Sequence, residues 1–273
     1  MADGFRGMIT YDGEVAPVQT YLARPGVEEP RPAVIVIHEI VGLTNHIKHV
    51  ADRFAQEGYV AFAPNLFSRP GIAEVLTTEN VEEAMQFMMT IPREKFADQA
   101  YIQQAAAQLP QEKRERLQRV RSTMFGGISK DRLTQDLVKA VDYLNAQDFV
   151  QSGKVASVGF CFGGGMSINL ACHAPQLAAC VIFYGENPNP IELVENITCP
   201  VLGNYGAEDM RINAHLDELV KAMVTYKKDF EMRIYPNAAH AFFNDTTPMH
   251  NQVAAKDAWE RVLRFYKRSL AVA

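Results

Sequence analysis

The chain has 273 residues, of which 48% are hydrophobic, and this is enough for one large domain or for one domain with an insertion. Its formal net charge is −5, from 27 basic and 32 acidic residues, so it offers no strongly basic face for nucleic acid. No apolar run approaches the length of a transmembrane helix, and no basic segment followed by an apolar one opens the chain. We therefore expect a cytoplasmic protein that binds neither nucleic acid nor a membrane.

Cysteine and histidine usage argues against metal binding. The four cysteines show no CxxC spacing, so we expect reduced thiols and neither a disulfide framework nor a zinc site. His46 and His49 stand at positions i and i+3 and could ligate a metal, but no third ligand is evident. The sequence therefore predicts no metal site and no cofactor.

Short apolar runs predict strands in the first part of the chain, at residues 18–24, 33–38 and 59–63. The run 33–38 is continuous and rich in β-branched residues, which is typical of a strand buried on both faces of a parallel sheet. Between the last two strands, apolar residues at helical spacing predict a helix that begins at Thr44 or Asn45 and ends near Gly58.

The strand signal vanishes between about residues 71 and 125, where apolar residues recur at helical spacing. We expect a helical insertion at about 71–125 within a single α/β domain that spans residues 1–273. One part of this segment is basic, and a solvated helix face is favoured over an interaction patch. Its basic residues are Lys113, Arg114, Arg116, Arg119 and Arg121.

The rest of the chain alternates between predicted helices and strands. The predicted helices are 133–144, one from Cys161, 212–226 and 251–270, and the predicted strands are 154–159, 178–184, 200–205 and 230–235. This alternation favours an α/β fold with a mostly parallel sheet and right-handed crossovers.

A glycine-framed cysteine stands where one of these strands meets a helix, in the stretch Gly159-Phe160-Cys161-Phe162-Gly163. The pattern GxCxG is typical of a nucleophile elbow, in which a strained turn exposes the central side chain above the sheet. At the first turn of a helix, unpaired amides and the helix dipole favour a thiolate. The alternative is an inert buried cysteine in a glycine turn.

Two further candidate residues follow strand ends later in the chain. Asp209 comes after the strand 200–205, and His240 comes after the strand 230–235, so the order is nucleophile, acid, histidine. Asp209 could instead only cap the next helix, and Glu208 is a neighbouring candidate acid. His240 lies on a predicted loop, where functional residues are common.

Glu39 ends the buried run 33–38 and directly follows His38. A carboxylate there is costly unless it is paired, so Glu39 should contact a cation, a hydrogen-bond donor or the nucleophile. A structural salt bridge is the alternative.

Taken together, these motifs resemble the dienelactone hydrolases, the carboxymethylenebutenolidases of the α/β-hydrolase fold. The segments that carry the resemblance are His38–Leu43, Val50–Ala55, Gly58–Ala61, Pro64–Phe67, Gly159–Gly164, Tyr205–Asp209 and His240–Phe242. The resemblance implies that Cys161 is the nucleophile, His240 its general base and Asp209 the residue that orients the imidazole. It further implies that Glu39 contacts the resting thiol and helps to ionise it, and that the oxyanion hole consists of the amides of Ile40 and Phe162.

The sequence departs from this family in two respects. The helical segment 71–125 looks longer than the corresponding region of compact members, and one expected arginine is missing. Dienelactone hydrolases have an arginine shortly after the catalytic histidine that helps to hold the substrate carboxylate, whereas this chain has Asn244. Arg69 and Arg211 each follow a strand end and could bind such a carboxylate instead.

The expected activity is hydrolysis of a small-molecule lactone or activated ester through a cysteine thioester, by a monomer or a homodimer. Peptidase activity is a weaker alternative, since an amide nitrogen needs strong protonation before it can leave. The alternative from another class is a binding or sensor protein of the hydrolase fold with little catalysis.

Overall fold

The computed structural model describes residues 4–92, 95, 98–126 and 129–270. The chain divides into two compact units. One unit, here called the α/β unit, consists of the chain up to Leu66 together with the chain from Lys130 onward. The other, here called the helical unit, is the intervening segment Phe67–Ser129.

A single sheet organises the α/β unit. In the described part of the chain, its eight strands are β1 (Arg6–Asp12), β2 (Pro17–Ala23), β3 (Arg31–Ile37), β4 (Val60–Pro64), β5 (Val150–Phe160), β6 (Ala179–Phe183), β7 (Val201–Gly206) and β8 (Phe230–Tyr235). Their order across the sheet is β1-β2-β4-β3-β5-β6-β7-β8. The strands β1 and β2 are antiparallel to their neighbours, and all other pairs are parallel. This confirms the predicted α/β fold with a mostly parallel sheet.

In the described part of the chain, helices separate most consecutive strands from β3 onward, and four helices follow one another between β4 and β5. The helices are α1 (Asn45–Gln56), α2 (Thr78–Met89), α3 (Gln99–Ala107), α4 (Gln111–Gly126), α5 (Lys130–Asn145), α6 (Phe162–His173), α7 (Met210–Asn213), α8 (Leu216–Thr225) and α9 (Gln252–Ser269). In the α/β unit, α1 and α9 meet where Phe54 packs against Trp259, with ring centroids 4.6 Å apart, whereas α5 and α6 pack against each other. Residues Ala33–Ile37 of β3 have no exposed surface, as the continuous apolar run predicts.

The structure differs from the sequence prediction in one strand and in one helix. The edge strand β1 was not predicted, because it is half exposed and pairs only with β2. The predicted helix 212–226 is in fact two helices, α7 and α8. The Asn213 side chain donates hydrogen bonds to the carbonyls of Gly206 and Ala207, at 2.8 Å and 3.3 Å, and this ties the end of α7 to the end of β7.

The helical unit contains α2, α3 and α4, and α2 packs against α4. Thr77 and Asp98 cap α2 and α3 by accepting hydrogen bonds from amides of the first turn. On the basic face of α4, Arg116 and Lys113 form ion pairs with Glu83 of α2, at 2.6 Å and 3.2 Å. Among the described residues, no helix combines the length and apolar character needed to cross a membrane.

Candidate active site

The backbone at Cys161 has the conformation expected of a nucleophile elbow. Cys161 follows β5 directly and is the N-cap residue of α6, with φ 55° and ψ −115°. A positive φ is strained for any residue with a β-carbon, and such strain is concentrated at functional sites. The side chain is neither sealed in the core nor fully exposed. The thiol is therefore presented on a tight turn at the carboxyl edge of the sheet.

Close backbone contacts explain the glycines around this cysteine. A β-carbon at Gly159 would lie 1.8 Å from the Gly163 carbonyl oxygen, and one at Gly163 would lie 2.3 Å from the Ile37 carbonyl oxygen. No side chain fits at such distances. The start of α6 therefore lies directly against the end of β3.

His240 and Asp209 form the histidine–carboxylate pair that the sequence predicts. The His240 Nδ1 atom lies 2.5 Å from Asp209 Oδ2. The other oxygen of Asp209 accepts a hydrogen bond from the Ile212 amide at 3.4 Å, so Asp209 also caps α7. The two roles that the sequence left open for Asp209 are thus both compatible with its position.

The surroundings of His240 favour a protonated ring. Burial lowers its pKa, but hydrogen bonds to Asp209 and to the Cys161 side chain, together with their charges, raise the pKa to about 10 overall. The imidazolium form would therefore predominate at neutral pH.

Glu39 is almost fully buried, and its carboxylate accepts a hydrogen bond from a side-chain amide. The Asn244 Nδ2 group donates to Glu39 Oε2 at 2.7 Å. The Asn244 Oδ1 atom accepts from the Thr246 amide at 3.0 Å and from the Thr246 hydroxyl at 2.7 Å, which fixes the orientation of the Asn244 amide. Burial raises the pKa of Glu39, and the Asn244 hydrogen bond and the charge of His240 oppose this shift.

The two residues expected to supply oxyanion donors lie on adjacent segments. Ile40 is in the loop after β3, and Phe162 is the first residue of α6. At the first position of a helix, the helical pattern itself provides no acceptor for the amide. Their role as oxyanion donors stays a prediction.

The two candidate arginines differ in their surroundings. Arg211 is mostly exposed and forms an ion pair with Glu186 at 2.7 Å, and Glu186 also pairs with Lys130 at 3.2 Å. Arg69 belongs to the helical unit, where its carbonyl oxygen accepts from the amides of Ile72 and Ala73. Carboxylate binding by either arginine stays a prediction.

Sequence reasoning did not single out Tyr184, which contacts the candidate base. Its ring centroid lies 5.0 Å from that of His240, and its φ of 40° is strained. Burial and the nearby charges of Glu39, Cys161 and Asp209 raise the pKa of its fully buried hydroxyl well above the usual 10, so it stays neutral. Its position directly after β6 was the available signal, because active-site residues gather at the carboxyl ends of parallel strands.

The site can also be compared with known proteins. The model of the dienelactone hydrolase family matches residues 18–270. A putative carboxymethylenebutenolidase of Saccharolobus solfataricus is 41% identical over 262 residues, which are 95% of this chain and 97% of the relative. A protein described in the same words from Synechocystis is 29% identical, over 96% of each chain.

Among solved structures, a putative dienelactone hydrolase from Klebsiella pneumoniae has a similar fold. It is 25% identical and superposes with a TM-score of 0.73 over 97% of this chain and 99% of the other. This similarity confirms the predicted α/β-hydrolase fold.

Proposed function

This chain belongs to the dienelactone hydrolase family, and we propose that it is a carboxylic ester hydrolase that opens a lactone or activated ester through a thioester on Cys161. The observation that carries this proposal is the strained cysteine elbow beside the hydrogen-bonded pair of His240 and Asp209. A nucleophile, a base within hydrogen-bonding reach and a carboxylate that orients the base are the parts of a nucleophilic hydrolase.

In the first half-reaction, the Cys161 sulfur attacks the carbonyl carbon of the substrate. The carbonyl electrons move onto the oxygen, which the amides of Ile40 and Phe162 stabilise. The carbon–oxygen bond to the leaving group then breaks, and the His240 imidazolium protonates the departing oxygen. The products are an acyl thioester on Cys161 and a neutral His240.

In the second half-reaction, neutral His240 takes a proton from water, and the resulting hydroxide attacks the thioester. The carbon–sulfur bond breaks, the carboxylic acid leaves, and the thiolate and imidazolium are restored. Asp209 holds the imidazole through Nδ1, so that Nε2 is left for these proton transfers. We assign Glu39 to the resting state, where it contacts the thiol and helps to ionise it.

The leaving group determines which substrates fit this chemistry. An enol lactone or an aryl ester expels a stable oxyanion, so a thiolate can displace it. An amide nitrogen must be protonated strongly before it can leave, which favours esters over peptides. The substrate class is therefore a small lactone or an activated ester.

The proposal is tested by replacing the nucleophile. We expect Cys161→Ala to lose at least about 100-fold of kcat/KM for dienelactone and for aryl esters, since the proposed acyl intermediate forms on the Cys161 sulfur. Cys199→Ala is the matched control, because it removes a buried thiol and should leave turnover unchanged. Full turnover by Cys161→Ala would eliminate this mechanism.

Mass spectrometry separates catalysis from simple binding. After mixing with an activated ester, the enzyme should show a transient mass increase of one acyl group on Cys161. A hydrolase-fold binding or sensor protein would show binding of the ester without acylation.

We further assign the protein to the cytoplasm, as a monomer or homodimer that binds no nucleic acid or membrane. The four cysteines are free in the structure, which suits a reducing compartment. Subcellular fractionation and light scattering test location and oligomeric state.

A further inference from the structure

His38 is a fully buried histidine at the end of β3 that the proposed mechanism does not use. Its Nδ1 atom lies 2.6 Å from the Glu39 carbonyl oxygen, and the Leu66 amide donates to its Nε2 atom at 3.1 Å. Because an amide can only donate, Nε2 accepts and the ring proton is on Nδ1. His38 therefore donates its single N–H to the Glu39 carbonyl. Burial supports the neutral form, since it lowers the pKa of His38 to about 4.

The Glu39 carbonyl belongs to the same peptide unit as the Ile40 amide. It also accepts a hydrogen bond from the Gly42 amide at 3.0 Å, so two donors fix its direction. A trans peptide is planar, and its C=O and N–H point in opposite directions. The bond from His38 thus fixes the direction of the Ile40 N–H as well.

His38 also contacts the segment that carries the other expected oxyanion donor. Its ring stacks on the ring of Phe162, with centroids 6.3 Å apart and an interplanar angle of 26°. A β-carbon at Gly163 would lie 2.6 Å from the His38 carbonyl oxygen, which shows how closely the two backbones approach. One buried residue therefore touches both halves of the expected oxyanion site.

We propose that His38 is a positioning residue, which aims the Ile40 amide at the substrate oxyanion by holding the Glu39–Ile40 peptide from behind and packing on Phe162. This inference rests on the proposed function, because it requires an acyl-transfer reaction at Cys161. His38 itself does not touch the substrate. Its hydrogen bond to Glu39 is useful because an oxyanion donor stabilises the transition state only if its direction is set in advance.

The test compares two reactions of the Cys161 sulfur. Acylation by an aryl ester builds up an oxyanion, whereas alkylation by iodoacetamide displaces iodide from a saturated carbon and forms no oxyanion. Both rates are measured at Cys161 by peptide mass spectrometry. The two rates are compared in samples whose folded fraction, measured by circular dichroism, equals that of the native enzyme, because an unfolded chain is still alkylated at this thiol but loses the acylation rate of the folded site.

Three variants are compared with the native enzyme. His38→Phe keeps a buried ring but loses both hydrogen bonds. In His38→Gln, a donor and an acceptor separated by one carbon atom replace the two ring nitrogens. Thr134→Val removes a different buried polar group, in α5, and is the control.

For His38→Phe we expect the rate of ester acylation to fall by about 10-fold to 100-fold, which is less than the effect of losing an oxyanion donor completely. The rate of alkylation should stay within about 2-fold of the native rate. His38→Gln should recover most of the acylation rate, and Thr134→Val should leave the ratio of the two rates unchanged. An unchanged ratio in His38→Phe would overturn the inference. If His38→Phe does not fold, His38→Leu replaces it, because leucine also lacks both hydrogen bonds of the imidazole. The ratio of acylation to alkylation in His38→Leu should fall, and a native ratio would overturn the inference.

These outcomes are distinct from a failure of the proposed function. If native Cys161 is alkylated but never acylated by any ester, the proposed function is wrong and this inference has no basis. If native Cys161 is acylated and His38→Phe is acylated equally fast, only the role of His38 is wrong.

Discussion

The α/β unit and the helical unit are stabilised in different ways. In the α/β unit, backbones approach so closely at Gly159 and Gly163 that no β-carbon fits between them. In the helical unit, helix caps and partly exposed ion pairs such as Glu83 with Arg116 are prominent. A steric clash between closely packed backbones costs much more unfolding free energy than the loss of a solvated ion pair. We therefore expect a substitution at a closely packed glycine of the α/β unit to cost much more unfolding free energy than the removal of an ion pair in the helical unit.

The largest expected effect is at the cysteine elbow. Gly159→Ala would place a β-carbon against the Gly163 carbonyl, so we expect a loss of more than about 4 kcal/mol of unfolding free energy, or no folded protein. Gly153→Ala is the control, because φ there is 72° but nothing lies within 4 Å of the added carbon. That control should cost about 1–2 kcal/mol, measured by denaturant unfolding. Equal losses in the two variants would contradict steric exclusion at the elbow.

The second largest expected effect is a loss of stability of the α/β unit at acidic pH. In the folded state the pKa of His38 is about 4, below the ordinary 6.5. As pH falls from 6.5 to 4, the unfolded chain binds a proton at His38 and the folded chain does not, so stability decreases. We expect this group alone to cost about 3 kcal/mol between pH 7 and pH 4.

The comparison that isolates His38 is urea unfolding of native protein and His38→Gln across this pH range. The variant lacks the titrating group, so its stability should fall less steeply between pH 6.5 and pH 4. Identical slopes in the two proteins would show that His38 does not titrate as described.

A smaller effect is expected at Asn244, which donates to the Glu39 carboxylate. Asn244→Ala leaves this buried group without that donor and should cost about 1–3 kcal/mol. Because the lost hydrogen bond favours the charged carboxylate, the pKa of Glu39 should rise further. If ionised Glu39 is needed for activity, the acidic limb of the kcat/KM profile moves to higher pH.

Asn251→Ala is the control for Asn244→Ala. Asn251 caps α9 through the Ala254 amide, so its loss should cost about 1 kcal/mol without any change in the pH profile. A profile that does not move in Asn244→Ala would argue that Asn244 only supports the fold.

The smallest effect is expected in the helical unit. Glu83→Gln removes two ion pairs, to Arg116 and Lys113, whose side chains are all partly exposed. We expect a loss below about 1 kcal/mol that shrinks further at high salt. Thermal unfolding at low and at high ionic strength measures this effect. A loss above about 2 kcal/mol would remove the contrast between the two units.

The sequence by itself determined the fold class and the order of the candidate residues. Buried strands read as continuous apolar runs, and glycines are required where backbones touch, so both features are written locally in the chain. Parallel strands bring their carboxyl ends to one edge of the sheet, which is why Cys161, Asp209 and His240 could be expected to meet. The boundary between α7 and α8 and the edge strand β1 lacked such local signals.

Only the tertiary structure decided which side chains pair within the site. Glu39 lies 205 residues from Asn244 and pairs with its amide, and Arg211 pairs with Glu186. The ring of Tyr184 lies against His240, and the ring of His38 accepts from the Leu66 amide. These partners come from different loops, and no periodicity or turn signal records which loops meet. Their identity depends on the packing of the whole sheet and its helices, because a buried polar group pairs with whatever donor or acceptor the fold brings within reach.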